Sequence, residues 1–417
     1  MSAEETINPA VLVWARKTAG LSIEEAAHKI GLTSGTRGTA AEKLEAIESG
    51  ERAPSEAQLK KMAASYHRPL LSLYMAEPPR PADRGEDFRT MRATVAPQEA
   101  AWLDALVRDV RTRQSILRDM MEDEEDIEPV SFVGTLSIST PIVQAANRIK
   151  TALGIEDDRS FRRGMRYPED LFAELRKRTE ALRVFVILLG DLGSHHTAIS
   201  PKIFRGFAVA DELAPMIIIN DQDAKAAWSF TLMHELTHIF LGKTGISGLP
   251  AIGEPHTPSA RIERFCNDVA GELLLPNHAL ARLPRLLTLE AVMQEAETLC
   301  RGWHVSKAMA AYRLWRGQKT DTEIYSEVVR VLGEQWKRQR ALEKEKNNNS
   351  ESGPNYYTVR RHRLGEALLR FVGHGLRADA VTHTTAAKVL GVRPGAVEPL
   401  LSTVMGFGNG VQRSKTT

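Results

Sequence analysis

Histidine, glutamate and histidine stand at positions 234, 235 and 238, inside the run Thr231-Leu232-Met233-His234-Glu235-Leu236-Thr237-His238-Ile239-Phe240. Residues four apart share one face of a helix, so the imidazoles of His234 and His238 can converge on a single metal ion. Glu235, next to the first imidazole, is placed to take a proton from a water in an open fourth position. A zinc ion lowers the pKa of such a water to about 7, and the carboxylate then serves as general base. The spacing alone is weak, because an exposed helix can carry it inertly. Its context is stronger. Trp228, Phe230, Leu232, Met233, Leu236, Ile239, Phe240 and Leu241 surround the polar trio and predict a buried helix. Buried histidine and glutamate need a metal or hydrogen-bond partners to remain there.

Such a site needs a third protein donor. Downstream, Ile262, Phe265, Cys266, Val269, Ala270, Leu273 and Leu274 recur at helical spacing, and Pro276 closes the segment. Glu263, at the start of this helix beside the apolar stripe, is the best candidate; its bland alternative is an ion pair with Arg261 or Arg264. Asn267, one turn on, can orient a ligand from behind or lie on the helix surface. Cys266 is a softer donor, but its place on the core stripe favours packing as a small apolar residue. His256 competes as a nitrogen donor from the loop Gly253-Glu254-Pro255-His256-Thr257-Pro258, whose two prolines make it stiff and surface-like.

Three runs together, Ile217 to Asn220, Trp228 to His238 and Glu263 to Pro276, resemble the ImmA/IrrE family of zinc metallopeptidases. That family's pattern is a strand ending in Asn, a Phe-Thr-Leu-x-His-Glu-Leu-x-His helix, and a Glu-x-x-Ala-Asn-x-Phe-Ala-x-x-Leu-Leu-x-Pro helix. The chain departs from it at Thr237, where Gly is usual, at Cys266, where Ala is usual, and at Val269, where Phe is usual. The resemblance implies Zn²⁺ held by His234, His238 and Glu263, with Glu235 as base in a gluzincin-like endopeptidase. It also implies a protein substrate, a transcriptional repressor or related regulator, cleaved to switch a stress, mobile-element or phage-related programme.

The chain has 417 residues, enough for two or three domains. Its 42% hydrophobic and 26% charged content is ordinary for a globular protein. A net charge of +2 does not advertise nucleic acid across the whole chain, so any basic patch must be local. Two cysteines, Cys266 and Cys300, exclude a disulfide framework and suit a reducing compartment. Glu4 and Glu5 precede any apolar run, so no secretory leader is expected. The longest apolar stretch, near Leu182 to Leu189, is far short of a membrane span. The expected location is the cytoplasm, with no membrane partner.

Around the metal motif, the strand Val184 to Leu188, the alternating run Phe204 to Ala210 and the strand Met216 to Asn220 predict a small mixed or antiparallel sheet on which the metal helices pack. An edge of that sheet can hold an extended polypeptide by backbone pairing. His195 and His196, in a polar loop, are given no role. The N-terminal region predicts four short helices: Pro9 to Ala19, a second capped by Ser22 with Glu25 and stopped by Gly31, Thr39 to Ser49, and one opened by Pro54-Ser55. The string Leu44 to Ser55 is similar to the Xre/Cro-type helix-turn-helix, which reads the major groove with its third helix. That resemblance implies DNA as a partner, through Thr36, Arg37, Thr39 and Lys43. Against it, Thr33 to Gly38 is longer and richer in glycine than the expected turn, and a module for docking or dimerisation, with a homodimer as partner, is the alternative.

The expected organisation is α+β. A helix-turn-helix domain spans 1–76 and a linker with a helical connector 77–139, the helix running from Gln98 to about Met121 into the acidic run Glu122 to Asp126. A zincin-like metallopeptidase domain covers 140–282 and a helical extension 283–346, in which Val305 to Leu314 resembles the Val-Ser-x-x-Ala…Arg-Leu element of longer family members. A C-terminal helical unit covers 347–405, entered through a polar linker at Asn347 to Pro354, and a disordered tail covers 406–417. In the C-terminal unit Arg360, Arg361, Arg363 and Arg370 suit either a contact surface or packing, and Thr384 to Val392 scans like a second helix-turn-helix fragment. The competing function is a DNA-binding regulator or antitoxin-like protein whose metal site is structural or sensory, with little proteolysis.

Overall fold

The computed structural model describes residues 7–35, 38–79, 86–87, 96–123, 127–247, 255–348 and 355–402. It divides the chain into two compact units, Met1–Arg84 with Met91–Val110 and Asp191–Ile199, and Gly85–Thr90 with Arg111–Gly190 and Ser200–Thr417. The chain is mostly helical with one small mixed sheet, an α+β architecture.

In the first unit, helices Pro9–Thr18, Ile23–Ile30, Ala40–Glu48 and Glu56–Ser65 start within about two residues of the expected positions. Ser22 with Glu25, Thr39 with Glu42 and Ser55 with Gln58 each form a reciprocal capping box, which satisfies backbone donors that the first turn leaves open. Gly31, at φ 79°, ends the second helix in the left-handed region. Leu12, Ala26, Ile30, Leu44, Ile47, Met62 and Tyr66 form the core. Arg16 clamps Glu48 with two parallel bonds of 2.8 Å, the bidentate geometry that only a guanidinium provides. In the long connection before the third helix, Gly35 and Gly38 exchange two backbone bonds of 3.1 Å.

The second unit holds a five-stranded sheet of β1 (Glu86–Asp87), β2 (Phe185–Leu188), β3 (Gly206–Val209), β4 (Met216–Ile219) and β5 (Gly245–Ser247), in the order β1-β5-β3-β4-β2. β3 runs antiparallel to β4 and β5, while β2 pairs β4 and β1 pairs β5 in parallel. The unbroken apolar run of β4 is fully buried, as a strand covered on both faces must be. Three of these strands are legible in the sequence. β1 and β5, at two and three residues, are too short to leave an alternation.

Helices Trp228–Phe240 and Pro258–Leu274 lie against each other; the first also packs on β3, β4 and helix Pro168–Ala181, the second on helix Ile142–Ala152. A further helix, Lys307–Arg316, capped by Ser306, grips the second of the pair. Arg313 donates to the Leu275 carbonyl at 2.8 Å and to Glu272 at 2.6 Å. Arg316 meets both oxygens of Asp268, and the Tyr312 hydroxyl donates to one of them at 2.8 Å. Gly271 makes the grip feasible, since a Cβ there would stand 2.6 Å from Cδ of Arg313.

One expectation changes, and one left open is decided in part. Helix Thr322–Asn348 carries Asn347 and Asn348 in its last turn, so the polar linker begins later; elongating a formed helix adds one hydrogen bond per residue and tolerates weak formers at its end. Of the C-terminal arginines singled out by sequence, Arg360, Arg361 and Arg363 pack against the protein, and Arg370 is exposed. Arg360 donates to the carbonyls of Leu390 and Gly391, Arg361 to that of Pro399, Arg363 pairs with Asp221 at 2.6 Å, and Arg370 pairs with Glu366. The acidic residues Glu124 to Asp126 and the tail from Gly406 lie outside the described residues. Among the described residues no helix is long and apolar enough to cross a membrane.

Replacing Arg313 by Met leaves the Glu272 carboxylate, itself only 6% exposed, without its counter-charge. The expected loss is about 3–5 kcal/mol of stability, and thermal unfolding should show the midpoint falling by roughly 10 °C.

Candidate metal centre

The helix that presents the paired imidazoles is aimed by the strand before it. Asn220 follows β4, and its side-chain amide donates to the Phe204 carbonyl at 3.0 Å and accepts from Gln222 N at 2.9 Å, which turns the chain out of the sheet. After a short 3-10 turn at Lys225–Ala227, helix Trp228–Phe240 runs almost wholly buried. Thr237, where a small residue is usual in the resembling pattern, returns its hydroxyl to the Met233 carbonyl at 2.7 Å, so no polar atom is stranded. The second helix starts at a Thr257 cap with Pro258 in its first turn and brings Glu263 opposite the imidazoles.

His234, His238 and Glu263 are the one group of such donors among the described residues, and all three are buried. Nε2 of His238 stands 3.1 Å from Nε2 of His234 and 2.9 Å from Oε1 of Glu263, and Nε2 of His234 stands 3.4 Å from Oε2. Donors about 2.0–2.1 Å from a tetrahedral ion stand about 3.3–3.4 Å apart, so the cluster is compatible with a metal ion. Without an ion the charges settle on one another. Burial opposes ionisation of Glu263, but the adjoining His234 and His238 outweigh it and hold the carboxyl down at about 2. Burial likewise opposes protonation of His234, yet Glu263, with help from Glu235 and the Asn267 side chain, raises its pKa.

Glu235 is different. It is fully buried, and neither carboxylate oxygen has a hydrogen-bond partner. Burial above all pushes its pKa up to about 8; His234 works against this, Glu263 adds to it, and the nearby Ser247 hydroxyl favours the charged form without reaching bonding geometry. Gly206 of β3 makes room for it. A Cβ at that position would stand 2.8 Å from Oε1 of Glu235 and 2.9 Å from the Ile218 carbonyl.

The residues singled out by spacing and pattern are thus brought together: two imidazoles, Glu263, the adjacent Glu235, and the buried Asn267 behind His234. His256 is not part of the group. Cys266 packs in the core, where burial keeps its thiol protonated. Of the residues proposed for DNA, Thr36 and Arg37 lie outside the described residues. Thr39 and Lys43 are engaged within their own unit, Thr39 as a helix cap and Lys43 through a 2.7 Å bond to the Thr33 carbonyl. The sequence reading missed Ser247. Its hydroxyl lies 3.2 Å from Nε2 of His234 and 3.3 Å from Nε2 of His238, placed there by β5. No periodicity marks it; the short Gly245-Ile246-Ser247 run after the helix was the only signal available.

If a metal ion binds here, His238→Ala and Glu263→Ala should each lower the affinity for Zn²⁺ at least a hundredfold in calorimetric titration. Glu235→Gln, which removes no donor, should leave stoichiometry at one and affinity within about tenfold.

Residues 191–315 match the peptidase M78 profile, described as the IrrE N-terminal-like domain. No curated protein and no solved structure gives a match to the chain. The matched segment contains β3, β4, β5, both helices that carry the donors and the helix that grips them, up to its penultimate residue. This region of the chain is therefore similar to metallopeptidases of the ImmA/IrrE type.

Proposed function

We propose that the chain is a zinc-dependent endopeptidase that cleaves a transcriptional repressor or related regulator, its N-terminal helix-turn-helix unit placing it on DNA. The observation that carries the peptidase is Glu235: a buried carboxylate with no hydrogen-bond partner, next to two imidazoles and an opposing carboxylate that can hold an ion. A structural metal site has no use for it, and an unpartnered buried acid is costly to keep. Bound Zn²⁺ would polarise a scissile carbonyl and lower the pKa of an attacking water to about 7. His234, His238 and Glu263 would hold it, and Asn267 would steady His234. The positive charge would bring the Glu235 pKa back down, leaving a carboxylate able to accept the water's proton and pass it to the leaving amine. Gly206 keeps the wall beside that carboxylate flat. The free thiols of Cys266 and Cys300 are in keeping with a cytoplasmic setting.

The second reading is a DNA-binding regulator or antitoxin-like protein with a structural or sensory metal and little turnover. It is favoured by the Ser247 hydroxyl, which stands over the three donors where a catalytic site usually keeps an opening. Cleavage of small helix-turn-helix repressors encoded beside this chain separates the two. With metal content matched, wild type should cleave and Glu235→Gln should be slower by about 10²–10⁴-fold. If both leave every repressor intact while binding promoter DNA, the second reading stands.

For the N-terminal unit, the joint substitution Arg37→Ala and Lys43→Ala should weaken DNA binding and reduce the slope of log affinity against log salt by about one to two. An unchanged slope would return the unit to protein docking.

A further inference from the structure

Ser247 has no part in the sequence reading or in the peptidase chemistry proposed above. Its hydroxyl nevertheless completes a figure. Nε2 of His234, Nε2 of His238, the Glu263 carboxylate and Oγ of Ser247 are separated pairwise by 3.1, 2.9, 3.4, 3.2, 3.3 and 3.5 Å. With the Glu263 carboxylate counted as one corner, they approximate the six edges of a tetrahedron. Its centre lies about 2.0 Å from each corner, the distance at which Zn²⁺ is held by nitrogen and oxygen. In two of these edges Glu263 takes part through Oε1 and in the one to His234 through Oε2, so its carboxylate straddles one corner.

We propose, on the reading that this cluster holds a metal ion, that the Ser247 hydroxyl is a fourth protein donor, so that the resting centre is closed. The sheet explains why it points there. β5 is antiparallel to β3 with Ser247 directly opposite Gly206, and opposite residues in such a pair project to one face. That face is the one on which Gly206 meets Glu235. Ile246, one residue earlier, points the other way and is buried against the sheet's far side. A single pair in the register therefore supplies both the space for the base and the fourth donor. Ser247 is only 2% exposed, so bulk water does not compete freely for its position. A neutral hydroxyl is a weaker donor than imidazole or carboxylate, which makes it the corner that a water or a substrate carbonyl displaces.

The test uses the full-length protein loaded with Co²⁺, whose visible spectrum reports coordination. Wild type should give a tetrahedral spectrum that stays constant through about pH 7, where a bound water would ionise. Ser247→Ala should admit that water, acquire a pH-dependent spectrum and bind Zn²⁺ roughly tenfold more weakly. Ser247→Cys should place a thiolate on the ion and show a near-ultraviolet thiolate-to-cobalt charge-transfer band. A water-linked transition already present in wild type overturns the proposal, as does a folded, Co²⁺-loaded Ser247→Cys variant without that band. Wild type that binds no Co²⁺ overturns the metal centre itself, and the fourth donor with it.

Discussion

Two imidazoles and two carboxylates share one water-poor volume in the larger unit, and the architecture around them is the answer to that desolvation. Taking such groups from water is unfavourable by several kcal/mol for each charge, and only close partners offset it. His234, His238 and Glu263 offset one another, which is why burial fails to raise Glu263 and fails to neutralise His234. Glu235 has no hydrogen-bond partner, and there burial outweighs the opposing pull of His234. The same helix thus holds one group stabilised by its neighbours and one held ready, a contrast that functional sites commonly use.

Precision at the cluster depends on two supports of different chemistry. The first is polar: Arg313, Arg316 and Tyr312 reach the helix carrying Glu263 through Glu272, Asp268 and a carbonyl near its end. Tyr312 also packs edge-on against Phe230 of the imidazole helix, so one side chain touches both helices that carry the donors. The second is the sheet. β3 contributes Gly206, whose missing side chain is what allows a strand to approach the imidazole helix, and β5 contributes Ser247. C-terminal helices close the far side of β2. There Arg176 donates to the carbonyls of Val186 and His362, and Glu180 accepts from Ala367 N at 3.2 Å.

The arginines around this scaffold show why a count of basic residues is a poor guide to partners. Arg360, Arg361 and Arg363 are used to cap carbonyls and pair with a buried aspartate, and Arg16 is used to lock two helices of the smaller unit. A guanidinium with five donors is suited to such joints, and its charge is then no longer available in full to a phosphate backbone. Lys43, bonded to the Thr33 carbonyl, and Thr39, capping its helix, are likewise engaged within their own unit.

What could be read from residues alone was whatever depends on neighbours along the chain. The i, i+4 imidazoles, the capping boxes at Ser22, Thr39 and Ser55, and the apolar run of β4 are local, because the backbone period and the first-turn hydrogen bonds are local. Glu263 was reachable as a candidate because it stands at the start of a patterned helix, beside its apolar stripe. Ser247, Gly206 and the inward arginines were not. Their roles follow from which strand lies opposite which, and from carbonyls dozens of residues away, and no local period encodes either. Strand register and helix contact, which exist only once the chain has folded, decided whether the fourth corner of the cluster is a side chain or an opening.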